Sequence, residues 1–82
     1  MTRKAKLKWH CRRGMRELDL LLDRFLESGY DALSPVDRDS FERLLDCRNE
    51  ELMDWLMEGV LPQDEQLAGI VNRIRDAEIR NR

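Results

Sequence analysis

Histidine is nearly absent from this chain. His10 stands alone, beside two cysteines (Cys11 and Cys47), two prolines and four glycines in 82 residues. Each scarcity excludes something. His10, Cys11 and Cys47 lack the paired ligand spacing of a zinc site. His10 and Cys11 are sequence neighbours, which point about 100° apart on a helix, so they make a poor nucleophile–base pair. Small disulfide scaffolds carry four or more cysteines. Two reduced thiols are the simpler reading, with one bridge open if the two positions meet. No glycine-rich phosphate loop or dinucleotide fingerprint occurs. No apolar run approaches the roughly 20 residues that span a bilayer, so no membrane insertion is expected. The basic start lacks the apolar stretch of a secretory signal. It would suit a mitochondrial presequence in composition, but it runs straight into a patterned segment, which argues against one. Strand-type alternation, hairpin dipeptides, internal repeats and linkers are missing too.

What is present is 41% hydrophobic and 39% charged residues, the balance of a soluble globular helix bundle. A chain of this length forms one domain, residues 1–82 with frayed ends at about 1–3 and 80–82, and buries only about 60–65% of its unfolded surface. One modest core fits, and an enclosed catalytic pocket beside it hardly does. Many carboxylates are spread over polar helix faces, where solvation explains them. The net charge of −2 hides an asymmetry. Residues 1–16 hold seven basic residues and no acid; residues 17–82 hold eight basic and seventeen acidic residues, a net of −9. A basic end on an acidic body suits contact with an acidic protein surface or with nucleic acid.

Gly14, Gly29, Pro35, Gly59 and Pro62 divide the chain into five helix-length pieces. The first runs from about Lys4 to Arg12, with Leu7 and Cys11 on one face and Trp9 beside them. The second, about Met15 to Ser28, carries Leu18, Leu21, Leu22, Phe25 and Leu26 at amphipathic spacing. Gly29 fits the left-handed position past its end, and Tyr30 is placed to fold back on it. Ser34-Pro35-Val36-Asp37 reads as a cap, a first-turn proline and a favourably placed acid. Phe41, Leu44 and Leu45 follow. Asn49 is the expected cap of the fourth helix, with Glu50 and Glu51 in its first turn and Leu52, Met53, Trp55 and Leu56 after them. Pro62 and Asp64 set up the last helix, striped by Leu67, Ile70, Val71, Ile74 and Ala77. The expectation is an all-α, compact five-helix antiparallel bundle, with Trp55, Phe25, Phe41 and the methionines as core.

One segment resists a purely local explanation. Arg12-Arg13-Gly14-Met15-Arg16-Glu17 crowds three arginines at the start of the second helix, where the helix dipole disfavours cations by a few tenths of a kcal/mol each. Glu17 and Asp19 alone offset them. The bland account makes Gly14 a turn residue and Arg13–Glu17 an i, i+4 pair, although arginine before glutamate is the weaker order. The sharper account makes the segment a partner-contacting surface.

The run Trp9-His10-Cys11-Arg12-Arg13-Gly14-Met15-Arg16-Glu17-Leu18-Asp19 resembles the signature of the succinate dehydrogenase assembly factor family, whose hallmark Arg-Gly-x-x-Glu is matched by Arg13, Gly14 and Glu17. The resemblance continues through Leu20–Phe25, Tyr30–Ser34, Phe41 with Leu44-Leu45, and Leu52-x-x-Trp55-Leu56, covering roughly residues 5 to 70. It departs at Asn49-Glu50-Glu51, where the family often has Asp-Pro-Asp. The resemblance implies a five-helix bacterial cytoplasmic helper, likewise a monomer, and not an enzyme. Such a helper binds the flavoprotein subunit of succinate dehydrogenase, with fumarate reductase as a further candidate client. It promotes covalent attachment of FAD to a histidine of that client. No cofactor is then held stably by the chain itself. The implied partner-binding residues are Arg13, Gly14, Glu17, Arg16, Trp9, His10, Arg12 and Asp19. Arg13 and Arg16 would meet client carboxylates or carbonyls, and Gly14 would allow close approach. Glu17 would pair with a client cation or orient Arg13, Trp9 would be a contact hot spot, His10 would line the same surface, and Asp19 would cap or orient the arginines.

The competing reading is an antitoxin-like or nucleic-acid-binding regulator using the basic first helix. The acidic remainder, the pI of about 5.4 and the lack of a helix-turn-helix signature weigh against it, and no nucleic-acid partner is expected.

Overall fold

Thr2 opens the first helix by accepting a hydrogen bond from the Ala5 amide at 3.1 Å, a cap not anticipated from the sequence. The computed structural model describes residues 2–80, and these form helices joined by short turns, with no strand among them. The order is α1 (Arg3–His10), α2 (Arg16–Ser28), a single 3-10 turn (Tyr30–Ala32), α3 (Pro35–Leu45), α4 (Asn49–Leu56) and α5 (Glu65–Arg80). Arg3 and Arg80 stand inside the first and last helices; Met1, Asn81 and Arg82 of the expected frayed ends lie outside the described residues.

The amphipathic stripe of α2 determines the packing. Leu18, Leu21, Leu22, Phe25 and Leu26 are all buried, and they meet Phe41, Leu44 and Leu45 of α3 and Leu67, Ile70, Val71 and Ile74 of α5 in one continuous core. Helix α5 lies mainly against α3 and α2. Phe41 is fully buried and holds two rings, with Phe25 at 5.5 Å and Tyr30 at 5.7 Å between centroids. These tilted arrangements suit aromatic quadrupoles. Trp55, Met15 and Met53 pack against the core from partly buried positions, and Met57 remains exposed. The radius of gyration is 11.5 Å, close to the ~12 Å of a compact chain of this length.

The caps agree with the sequence at three places and differ at two. Ser34 accepts from the Asp37 amide, and Pro35 takes the first turn of α3. Asp64 accepts from the Gln66 and Leu67 amides at the start of α5, which holds its carboxyl below the usual range, with help from Arg43. Gly59, at φ +83°, ends α4 while the Val60 amide returns to the Asp54 carbonyl at 3.0 Å, the wrap of a Schellman-type end. Gly29 does not take the expected left-handed conformation: its φ is −121°. Its need for glycine is steric, because a Cβ there would stand 2.7 Å from the Phe25 ring. Asn49 is not the cap of α4 either. Arg48 occupies that position, and the Glu51 carboxylate reaches back to accept from its amide at 3.1 Å. Asn49 moves to the first helical turn, and its side chain has other work.

Both thiols are free, Cys11 buried and Cys47 half-buried. Burial, reinforced by the Asp23 carboxylate, pushes the Cys11 thiol up to about 12. The unfolded chain releases that proton near pH 8.5–9. The thiol's contribution to stability is therefore complete below pH ~8.5 and is lost as pH rises toward 12. Alkaline denaturation of the wild type should steepen by up to about 1.4 kcal/mol per pH unit relative to Cys11→Ala over that window. Equal slopes in the two proteins would refute this. Cys47 and Tyr30, both also pushed up mainly by burial, stay in the variant and cancel in the comparison.

Candidate functional site

The chain between α1 and α2 turns on Gly14, whose φ of +80° is a left-handed conformation that other residues adopt only with strain. A Cβ at Gly14 would meet nothing within 4 Å, so the requirement is in the backbone and the surface above it is open. Asp19 holds the turn. From the first full turn of α2, its carboxylate accepts the Arg13 amide at 2.8 Å and the Gly14 amide at 3.1 Å. Met15, at the cap position of α2, offers no side-chain acceptor. The capping role anticipated for Asp19 is thus directed at the turn's backbone.

Arg13 points inward. Its Nη1 donates to the Cys47 carbonyl at 2.8 Å and makes a longer 3.4 Å contact with Asn49 Oδ1. The expected Arg13–Glu17 pair does not form among the described contacts. The guanidinium ties the glycine turn to the junction of α3 and α4, and a charged donor on a carbonyl contributes about 1.5–3 kcal/mol. Asn49 and the Cys47 carbonyl are the parts of this site that sequence reasoning missed. Asn49 does carry a signal in the sequence, but that signal points to a helix cap and not to Arg13.

Open grooves surround the turn. One, between α1 and the α3–α4 junction, brings Trp9, His10, Arg12 and Arg13 beside Asp46 and Asn49. Trp9 is 61% exposed, with the Arg12 guanidinium 5.2 Å from its ring centroid, a stacking that holds both at the surface. A second, between α1 and α2, is bordered by Arg12, Gly14, Asp19 and Leu20. Arg12 borders both. Glu17 and Arg16 are exposed in the first turn of α2. Glu17 lines a third groove with Leu20, while Arg16 borders none of these grooves. Five of the eight candidate residues, Trp9, His10, Arg12, Gly14 and Asp19, therefore gather around the turn through Arg12, with Arg13 bracing it. Glu17 joins through Leu20, and Arg16 stands apart.

The basic first helix faces a different use from the one its charge suggested. Arg3 pairs with Glu42 at 2.6 Å, Lys4 with Asp31 at 3.0 Å and Lys8 with Glu27 at 3.2 Å. These exposed pairs add little stability, but they engage the cations with the chain's own acidic body. The nucleic-acid reading gains no support from this arrangement. Among the described residues, no group of three or more His, Cys, Asp or Glu side chains is placed to hold a metal, and no helix is long and apolar enough to cross a membrane.

The fold and this surface define a class: a small helical domain whose chemically distinctive groups lie on open grooves around a braced glycine turn. Within that class, the chain belongs to the family described as the flavinator of succinate dehydrogenase, whose model matches residues 5–78. It is 46% identical over 72 residues to the FAD assembly factor SdhE of Yersinia pseudotuberculosis, covering 88% of this chain and 82% of that protein. It is 44% identical over 73 residues to the protein of the same name from Photorhabdus laumondii, covering 89% and 83%. With the one from Colwellia psychrerythraea it is 46% identical over 71 residues, covering 87% and 78%.

Proposed function

We propose that this chain binds the flavoprotein subunit of succinate dehydrogenase and promotes covalent attachment of FAD to it, as a cytoplasmic monomer that performs no bond-forming step itself. The observation that carries this reading is the family match across residues 5–78, which includes Arg13, Gly14 and Glu17. The fit of the site supports it. The grooves are open and shallow, suited to another protein's surface, and FAD is cargo of the client. Fumarate reductase, whose flavoprotein would present related chemistry, is a second client in this proposal.

The helper acts by differential binding. It favours the client conformation in which the flavin and its histidine are aligned, and it shifts that equilibrium only by the ratio of its affinities for the two conformations. A tenfold preference is about 1.4 kcal/mol. Gly14 lets the client backbone approach the turn. Glu17 receives a client cation, and Arg12 and Arg16 offer donors to client carboxylates or carbonyls. Trp9 supplies apolar contact area at the rim, and His10 lines the same groove. Arg13 and Asp19 are positioning residues that keep the turn in shape.

The test uses cells lacking their own helper, supplied with this chain and its cognate flavoprotein. Covalent flavin is scored by fluorescence of the denatured subunit in a gel. Restored fluorescence is expected. Absence of flavin in the client despite abundant folded helper would overturn the proposal.

A further inference from the structure

Leu20 is on the wrong side of its helix. The buried stripe of α2 runs through Leu18, Leu21, Leu22, Phe25 and Leu26, and Leu20 points away from it, 48% exposed. A single exposed leucine is ordinary. Here, however, Leu20 of α2, Met57 at the end of α4 and Ile79 of α5, all exposed, border one groove of about 340 Å³. Val60 and Leu61 extend the apolar exposure along the following loop, which approaches the groove at Gly59 beside Arg75.

The charges around this groove are unevenly matched. Arg24 and Glu78 form an ion pair across it. Glu17 and Arg75, which also line it, have no ion-pair partner among the described residues. The groove therefore offers apolar walls, one unmatched acid and one unmatched base. It is also continuous with the glycine turn, because Leu20 borders both this groove and the one containing Gly14. Area points the same way. A stable protein–protein contact needs about 800 Å² from each partner. The whole chain exposes 5496 Å², so a partner seated on the turn must spread well beyond it, and burial of apolar surface supplies most of the affinity.

We infer that the client extends from the glycine turn over Leu20 and places an apolar side chain in the groove between α2 and α5, with a basic residue facing Glu17 and an acidic one facing Arg75. This rests on the proposed function and adds a part of the interface that the Arg-Gly-x-x-Glu pattern does not describe. Leu20 and Ile79 are its affinity-determining residues.

The experiment compares wild type with the Leu20→Ser/Ile79→Ser double variant. Affinity for the purified flavoprotein subunit is measured by biolayer interferometry, with circular dichroism and sedimentation velocity on each helper alone. Both positions are exposed, so the helical spectrum should be unchanged while the client Kd rises tenfold or more. Wild type that binds the client, with a variant that binds within twofold of it, overturns the groove inference and leaves the proposed function standing. Wild type that does not bind the client overturns both. A wild-type dimer that the variant converts to monomer, with client affinity unaltered, assigns the groove to a second copy of this chain and also overturns the inference.

Discussion

Gly14→Arg should abolish client flavinylation while leaving a folded helical domain. Two effects combine in this variant, and the structure separates them. The first is backbone strain. At φ +80° any L-residue with a Cβ costs about 1–2 kcal/mol, which lowers Tm by roughly 4–16 °C in a domain of this size. The second is obstruction. The space above Gly14 is open, so the arginine side chain does not clash within the domain and projects onto the surface where the client would sit. Gly14→Ala carries the strain without the bulk. Thermal melts of the two variants should therefore nearly coincide, while flavinylation and client binding fail in Gly14→Arg and largely survive in Gly14→Ala. If Gly14→Ala loses activity as completely as Gly14→Arg, the turn's conformation matters more than access to it. If both simply unfold, Gly14 is a structural glycine and the site lies elsewhere.

Glu17→Ala should cost the client complex heavily with little cost to the domain. Glu17 is exposed in the first turn of α2 and pairs with no cation among the described residues, so within the domain it contributes only its interaction with the helix dipole, about 0.3–1 kcal/mol. Against a client cation that becomes buried on binding, truncating one partner costs about 2–5 kcal/mol, or roughly 30- to several-thousand-fold in Kd. Arg13→Ala should behave in the opposite sense. Its guanidinium anchors the turn on the Cys47 carbonyl, so the variant loses stability first, and its binding defect follows the loosened turn. Melts and titrations on the two variants test the division of labour. A Glu17→Ala protein that binds the client normally would remove Glu17 from the interface.

These expectations depend on different kinds of information. The helices were legible in the chain itself, because the period of Leu18, Leu21, Leu22, Phe25 and Leu26, the Ser34-Pro35 start and the Gly59 stop are local signals. Asp64 could be named from its position before an apolar stripe. The crowding of arginines around Gly14 was likewise visible as an electrostatic oddity, and the family resemblance attached a use to it.

What local signals did not reveal was how side chains settle once packed, either against near neighbours or against residues far apart in sequence. Gly29 looked like a left-handed helix end, yet its requirement comes from the Phe25 ring folding over it. Asn49 looked like a cap, yet Glu51 serves the amide of Arg48 and Asn49 turns toward Arg13. The basic first helix looked like a binding surface, yet Asp31, Glu27 and Glu42 answer three of its cations. Arg13 and Glu17 read as one motif, but the bundle turns one inward to the α3–α4 junction and leaves the other in solvent. The exposed Leu20, Met57 and Ile79 become one groove only when α2, α4 and α5 converge. The elements, the helix ends at Ser34, Gly59 and Asp64 and the identity of the turn followed from the chain's local pattern, because those depend on neighbours within a few residues. Tertiary structure alone decided which side chains brace that turn and which face a partner, because a side chain's direction follows from what packs behind it.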